Sequence, residues 1–172
     1  MMRHLTPADY TTMPWANGKG RTIEMLRVEA EGRLKWRLSR ASVVENGDFS
    51  LFPGIERNLT VLTGPGFDLV GDGLHLAARP LVPVEFPGDV ALRAEGVSAP
   101  SDDFNVMTAR ALPRPEVAVI TGRVNLPQGG LLAIYALGPS VVNNHAMAAQ
   151  DLILTEDAAR VEGHTLVVRR LG

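Results

Sequence analysis

Glycine and proline interrupt this chain at short intervals along its whole length, and no other feature constrains the fold as strongly. Seventeen glycines and twelve prolines are spread over 172 residues. Between them lie short runs rich in Val, Ile, Leu and Thr, a pattern typical of strands joined by turns. Apolar residues do not recur at helical spacing for more than about one turn. The pattern therefore predicts an all-β protein, either a sandwich or a barrel.

Two predicted strands carry polar side chains at every second position, so that these side chains share one face. Thr22 and Glu24 do so in the first of these strands, and Arg37 and Ser39 in the second. The segment 71–73, Gly-Asp-Gly, predicts a hairpin turn because both residue types tolerate positive φ. The other predicted strands are 59–62, 67–70, 74–77, 81–86, 103–108, 117–120, 131–136, 151–154 and 165–169.

Charge and cysteine content exclude several classes of function. The chain has 17 Lys and Arg against 19 Asp and Glu, a formal charge of −2, which gives no attraction for nucleic acid or for an anionic membrane. It has no cysteine, so disulfides, thiolate metal sites and a Cys nucleophile are excluded. Neither a signal peptide nor an apolar stretch of about 20 residues is present, and we expect a cytoplasmic protein without nucleic-acid or membrane partners.

The segment from Trp15 to Glu24 is the densest group of chemically interesting residues. Gly18 and Gly20 flank Lys19, and consecutive backbone amides in such a turn form an anion-binding nest that a lysine reinforces. An ordinary turn that leads into a strand explains the same residues. The spacing does not fit either phosphate-binding glycine motif.

Arginines and a pair of polar residues on predicted strands are further candidates. Arg37 lies in a strand of core-type residues, where burial is costly unless a group such as Glu24 accepts its hydrogen bonds. Arg37 is therefore either part of a structural Arg–Glu pair or part of a clamp for a ligand. The same two interpretations apply to Arg57. Asp103, Asn105 and Met107 share a predicted strand face. From it, Asp103 and Asn105 either bind a polar ligand or hold a turn in place.

The histidines do not form a metal-binding pattern. His4, His75, His145 and His164 stand far apart, and none has another histidine or an acidic residue at a recognised ligand spacing. We therefore predict no metal and no other cofactor.

Five motifs taken in order form a specific joint pattern over about the first 110 residues. With them, the chain resembles the HutD/Ves family. The motifs are Trp15-x-Asn17-Gly18-x-Gly20-x-Thr22-x-Glu24, Trp36-Arg37-Leu38-Ser39-x-Ala41, Gly47-Asp48-Phe49-Ser50-Leu51-Phe52-Pro53-Gly54-x-x-Arg57, Leu62-x-Gly64 and Asp103-Phe104-Asn105-x-Met107-Thr108.

The resemblance implies a cupin-type β-barrel in a bicupin-like, pseudo-duplicated β-sandwich. Residues 1–110 would form the first cupin-like half with the family motifs, and residues 111–172 a second, smaller half. Compared with metal-binding cupins, residues 52–64 resemble the first cupin motif without its histidine ligands. The family is linked to histidine utilisation in bacteria, where it is thought to bind a pathway intermediate and to moderate flux.

The resemblance also implies one shared pocket for the polar motif residues. Arg37 and Arg57 would clamp a carboxylate with their guanidinium groups. The neutral contacts would come from Asn17, Ser39 and Asn105, whereas Glu24 and Asp103 would orient the arginines or accept an N–H. The full set of predicted ligand-binding residues is Trp15, Asn17, Gly18, Lys19, Thr22, Glu24, Arg37, Ser39, Arg57, Asp103 and Asn105.

The sequence thus predicts a metal-free cupin that binds a small carboxylate, such as urocanate or N-formylglutamate, and moderates histidine utilisation. One alternative is a cupin enzyme, an isomerase or hydrolase of an amino-acid-derived acid, with Glu24 or Asp103 as general base. Another is an oligomeric structural protein whose buried ion pairs fix strand register. A homodimer is compatible with each of these functions.

Overall fold

The computed structural model describes residues 1–15, 18 and 20–172. Within them the chain is built of strands, and the one helical segment is the short 3-10 helix Pro7–Asp9, so the all-β prediction is confirmed. The strands are β1 (Met2–Leu5), β2 (Thr11–Pro14), β3 (Arg21–Ala30), β4 (Arg33–Val43), β5 (Gly47–Asp48), β6 (Ile55–Thr63), β7 (Phe67–Gly71), β8 (Leu74–Ala78), β9 (Val84–Pro87), β10 (Arg93–Glu95), β11 (Ser101–Ala109), β12 (Glu116–Leu126), β13 (Leu131–Ala136), β14 (Ser140–Val142), β15 (His145–Met147), β16 (Leu152–Thr155) and β17 (Ala159–Arg170).

The chain divides into two compact units. The central unit comprises Thr11–Leu112, and the terminal unit comprises Met1–Tyr10 together with Pro113–Gly172. The first strand belongs to the terminal unit because β1 pairs antiparallel with β16. That each half forms a cupin-like domain of its own stays a prediction.

The central unit consists of two antiparallel sheets. One has six strands in the order β2-β3-β4-β11-β6-β9, and the other has four in the order β5-β10-β7-β8. A buried apolar cluster that includes Leu59, Val61, Phe67, Leu69 and Phe86 fills this unit. These residues alternate along their strands with residues of the other face, as the two-residue period of a strand requires.

The terminal unit contains one seven-stranded sheet in the order β1-β16-β13-β17-β14-β15, and β12 also pairs with β17. Strand β17 is therefore its organising element, with partners on both sides. Its core includes Ile134, Ile153, Val161 and Val167. The sequence predicted strands at 117–120, 131–136 and 165–169, and all three lie within observed strands.

Two predicted strands begin too early, 151–154 by one residue, because β16 begins at Leu152, and 81–86 by three. The sequence placed a strand over 81–86, but β9 begins at Val84. Leu81 adopts a φ of 63°, which is incompatible with a strand, and Pro83 has no amide hydrogen for the ladder. The hairpin prediction is confirmed: β7 and β8 pair across Asp72 and Gly73, with φ values of 45° and 75°.

No helix in the described part of the chain is long and apolar enough to cross a membrane.

Candidate ligand-binding site

A cavity of about 690 Å³ lies within the central unit. This volume is in the range of small-molecule pockets, which usually combine apolar walls with a few fixed polar groups. Its polar lining includes Arg37, Ser39, Arg57, Asp103 and Asn105. The cavity therefore brings together polar residues from three different strands.

Strand register explains why these residues meet. Arg37 on β4 pairs with Met107 on β11, and Met107 pairs with Arg57 on β6. Paired residues point to the same face of a sheet, and neighbouring strands lie about 4.8 Å apart, so the two arginine backbones are about 10 Å apart. In the next row of the ladder, Asn105 pairs with Ser39. The six-stranded sheet thus presents a row of two cations beside a row of neutral polar groups.

Arg57 is buried in an aromatic cage. Its guanidinium carbon lies 5.4 Å from the ring centre of Phe49, 5.2 Å from Phe52 and 5.1 Å from Phe86, all within cation–π range. Nη2 donates a hydrogen bond to Asn105 Oδ1 at 3.0 Å, whereas Nε is buried without a partner. The pKa of Arg57 is lowered to about 10, mainly by burial; the charge of Asp103 opposes this shift, and the charge of Arg37 contributes to it. At neutral pH Arg57 is therefore positively charged, and no carboxylate of the described residues forms an ion pair with it.

Arg37 is paired through one of its nitrogens. Nε donates to Glu24 Oε2 at 2.6 Å. A bulge in β3 just after Glu24 shifts the pairing with β4, and Arg27 also approaches Glu24, at 3.7 Å. Within the described residues, Glu24 is the one acidic partner of Arg37. The two terminal guanidinium nitrogens of Arg37 are therefore available to other acceptors.

Asp103 lies deep in the cavity wall and is only 1% exposed. Asn105 Nδ2 donates to Asp103 Oδ1 at 2.6 Å, and no basic residue of the described chain forms an ion pair with this carboxyl group. Burial raises its pKa to about 7, and the hydrogen bond from Asn105 and the charge of Arg57 only partly oppose this. Asn105 consequently bridges the Asp103 carboxyl group and the Arg57 guanidinium group.

Trp15 forms part of the cavity wall and is held from two sides. Its Nε1 donates to Thr22 Oγ1 at 2.9 Å. Its ring lies against Gly20, where a Cβ atom would be only 2.7 Å from the nearest ring carbon. The Gly18 amide donates to the Trp15 carbonyl oxygen at 3.0 Å and is therefore used by a turn, not by an anion nest. The close approach of the Trp15 ring explains why glycine is needed at position 20.

The structure brings most of the predicted site residues to one place. Glu24 lies behind Arg37 and supports it, whereas Gly18 is exposed and does not line the cavity. Asn17 and Lys19 lie outside the described residues. The predicted residues that line the cavity are Trp15, Thr22, Arg37, Ser39, Arg57, Asp103 and Asn105.

Sequence reasoning gave no role to four residues that the site uses, Phe49, Phe52, Phe86 and Met107. Phe49 and Phe52 belong to a quoted motif, but their contact with Arg57 follows from the path of the chain between β4 and β6. Met107 was placed on the same strand face as Asp103 and Asn105, and that alternation was the available signal for its position in the lining.

Comparison with known proteins decides the family. The HutD family model matches residues 7–169. The chain belongs to the HutD family. The family predicted from the motifs is therefore confirmed. The match also extends over the second half of the chain, where the motifs gave little support.

Individual relatives agree with this assignment. An uncharacterized 21.2 kDa protein in the hutC 3′ region of Pseudomonas putida is 32% identical over 166 residues, which cover 93% of this chain and 86% of the relative. The structure of HutD from Pseudomonas fluorescens SBW25, in a formate condition, has a TM-score of 0.91 at 25% identity and covers 99% and 98% of the two chains.

A more distant structure identifies the fold type. The bacterial pirin YhhW of Escherichia coli, in complex with nickel(II), has a TM-score of 0.71 at 8% identity, with 99% of each chain covered. Pirins are cupin-type proteins, so the predicted cupin-type fold is confirmed.

The cavity of this HutD-family chain does not fit the metal that the pirin carries. Within the described residues, no group of three or more His, Asp or Glu side chains is arranged to hold a metal ion. Two of the histidines are instead paired singly, His4 with Asp151 at 2.9 Å and His75 with Asp68 at 3.0 Å. The cavity itself presents two guanidinium groups, whose positive charges suit an anion.

Proposed function

We propose that this chain is a metal-free cupin that binds a small carboxylate of histidine degradation and thereby moderates flux through that pathway. Membership of the HutD family and the hut-region relative in P. putida link the chain to histidine utilisation. The ligands that fit this role are acids of the urocanate or N-formylglutamate type.

The incomplete compensation of Arg57 is the observation that carries this proposal. A buried guanidinium group without a carboxylate partner is costly, because burial removes its water without supplying an opposite charge. Three phenylalanine rings and one amide offset only part of this cost. An entering carboxylate supplies the missing charge and accepts the hydrogen bonds that Arg57 and Arg37 still have to donate.

The remainder of the cavity suits a small organic acid. Ser39 and Asn105 offer neutral donors and acceptors beside the cations, and Trp15 and Met107 supply apolar surface. Neutral contacts of this kind orient a ligand, whereas the arginines contribute most of its attraction.

Thermal unfolding with candidate acids tests the proposal. A ligand at one hundred times its dissociation constant adds about 2.7 kcal/mol of stability. For a chain of this size that corresponds to a rise in Tm of roughly 5 to 10 °C. Urocanate or N-formylglutamate is expected to give this rise, whereas the corresponding amides are not. Equal stabilisation by acids and amides would contradict a carboxylate site, and no stabilisation by any acid would favour the structural role.

A second candidate, an enzyme, is favoured by one observation. Asp103 combines a pKa of about 7 with a position in the cavity wall, which suits a general acid or base. Glu24 is less suited because Arg37 holds it as an ion pair. Chromatography of the same acids after incubation separates the two functions. Product that forms in proportion to the protein and disappears in Asp103→Asn would establish catalysis.

A further inference from the structure

We propose that Asp103 takes up one proton when an acid enters the cavity, and that the site therefore selects acids with a single negative charge. This inference rests on the carboxylate-binding function proposed above. It adds which charge class of acid is bound and how binding depends on pH.

The charge inventory of the cavity leads to this conclusion. Glu24 neutralises Arg37 by direct contact. Arg57 and Asp103 are then the remaining buried charges, and the Asn105 amide lies between them. If Asp103 is ionised, the four groups sum to zero and an entering anion meets no net attraction. If Asp103 is protonated, a single positive charge is left, which one carboxylate neutralises.

The surroundings of Asp103 make it the group that changes its charge. Glu24 and Arg37 on β3 and β4 hold each other, and Arg57 on β6 keeps its proton because its pKa is about 10. On its own strand, the neighbouring Asp102 accepts a hydrogen bond from Ser42 on the opposite face, and its charge contributes to the raised pKa of Asp103.

The rim carries two further acidic residues of the lining. Glu45 and Asp48 are both exposed, so water and salt screen their charges. Asp103, in contrast, is nearly inaccessible and half ionised near neutral pH, since burial raises its pKa to about 7. A nearby anion raises this pKa further, because like charges at short range oppose each other.

The selection for ligand charge follows from the same inventory. A monocarboxylate together with the Asp103 proton leaves the cavity neutral. A dicarboxylate leaves one buried negative charge without a partner, which is unfavourable. Of the two acids proposed above, the site therefore prefers the urocanate type to N-formylglutamate, which has two carboxylates.

Titration calorimetry of the wild-type protein with urocanate tests whether a proton is taken up on binding. Above pH 7 an imidazole is mainly neutral, so urocanate is a monoanion. Measurements in two buffers with different heats of ionisation give the number of protons taken up per ligand. We expect about 0.5 at pH 7 and about 0.9 at pH 8, with an affinity loss of about fiftyfold between pH 7 and pH 9.

Two variants assign the proton to its residue. Asp103→Asn keeps the shape of the protonated carboxyl group, and we expect proton uptake near zero and an affinity for urocanate that changes less than about threefold from pH 7 to pH 9. Asp102→Asn is the matched control, because its side chain bonds to Ser42 instead of lining the cavity. It should retain proton uptake at pH 8. Because the charge of Asp102 contributes to the raised pKa of Asp103, its removal should increase the uptake at pH 7 and not abolish it. If Asp103→Asn does not fold, the wild-type titrations still decide.

The outcomes separate this inference from the function on which it rests. Saturable binding of urocanate without proton uptake at pH 8, or binding of N-formylglutamate at least as tight as that of urocanate, overturns the inference and leaves carboxylate binding intact. If neither acid binds at any pH from 5 to 9, the proposed function itself is wrong and the inference falls with it.

Discussion

Arg57 donates a hydrogen bond from Nη2 to Asn105 Oδ1 at 3.0 Å, and it forms no ion pair with a carboxylate of the described residues. Asn105 in turn donates to Asp103 at 2.6 Å. A buried cation and a buried acid are thus joined through an amide and not through a salt bridge. This arrangement leaves the charge of Arg57 available to a ligand and makes the ionisation of Asp103 sensitive to what occupies the cavity.

Replacement of Arg57 by methionine tests whether this residue serves binding or structure. Methionine has a flexible apolar side chain that fits among the three phenylalanine rings, and it removes a buried charge. We expect acid affinity to fall at least about thirtyfold, since truncation of a buried charged contact costs 2 kcal/mol or more. The free energy of unfolding in urea should change by less than about 2 kcal/mol.

The control for this variant is Arg110→Met, which removes an exposed arginine that pairs with Glu56 and Asp89. It should leave acid affinity unchanged and affect stability little, because water and salt screen ion pairs at the surface. If Arg57→Met loses more than about 3 kcal/mol of stability and keeps its affinity, Arg57 is a structural residue.

Removal of the negative charge of Glu24 should strengthen acid binding. Glu24→Gln leaves the charge of Arg37 uncompensated, so we expect acid affinity to rise about tenfold, or about 1.4 kcal/mol. The unfolding free energy should fall by about 1 to 3 kcal/mol, because the pair is largely buried and one partner is lost. Calorimetry and urea denaturation measure the two effects.

Glu29→Gln provides the comparison for Glu24→Gln, since Glu29 pairs with Arg27 at an exposed position. It should alter neither affinity nor stability appreciably. If Glu24→Gln instead lowers the affinity for the acid, Glu24 itself contacts the ligand.

Asp103 should make the unliganded protein less stable as the pH rises. Its folded-state pKa, about 7, is above the ordinary value of 3.8, so the folded protein holds a proton that the unfolded chain has released. Its contribution to stability is complete below pH 3.8 and is lost as the pH rises through 7. Between pH 5.5 and pH 8 this amounts to about 2 kcal/mol.

The comparison of wild type and Asp103→Asn in urea at these two pH values isolates this effect. The variant cannot release the proton, so its unfolding free energy should fall by about 2 kcal/mol less than that of the wild type over the same interval. Parallel pH dependence in both proteins would show that Asp103 is ionised throughout, as an ordinary carboxylate.

An alanine at position 20 should displace Trp15 from the cavity wall. The added Cβ would lie 2.7 Å from the indole ring, so the ring has to move and its bond to Thr22 is weakened. We expect a change in tryptophan fluorescence and weaker acid binding. Gly138→Ala is the matched control, because an alanine there has open space around its Cβ. Unchanged fluorescence and binding in Gly20→Ala would show that Trp15 tolerates the contact.

The sequence predicted the strands better than their ends. Alternation placed Asp103, Asn105 and Met107 on one face of β11, and all three line the cavity. This succeeds because the two-residue period of a strand is a local property of the backbone. The predicted beginning of β9 was wrong, because the left-handed conformation of Leu81 is imposed by its surroundings and not by its residue type.

The partner of each arginine could not be read from the chain. Arg37 and Arg57 had the same two open interpretations, a structural pair or a ligand clamp. Glu24 lies beside a bulge in β3 and accepts a hydrogen bond from Arg37. Arg57 instead contacts an amide and three aromatic rings. Strand order and register decide such contacts, and neither is encoded within a single strand.

By itself, the sequence determined an all-β chain of the HutD family, the alternation of its strand faces and most of the residues that line one cavity, because turn residues, two-residue periodicity and linear motifs are local. Only the tertiary structure decided that β4, β11 and β6 are neighbours, and hence that Arg57 is caged by phenylalanines and linked to Asp103 through Asn105. The charge of the site depends on these distances and on burial, which exist only after strands remote in sequence have packed together.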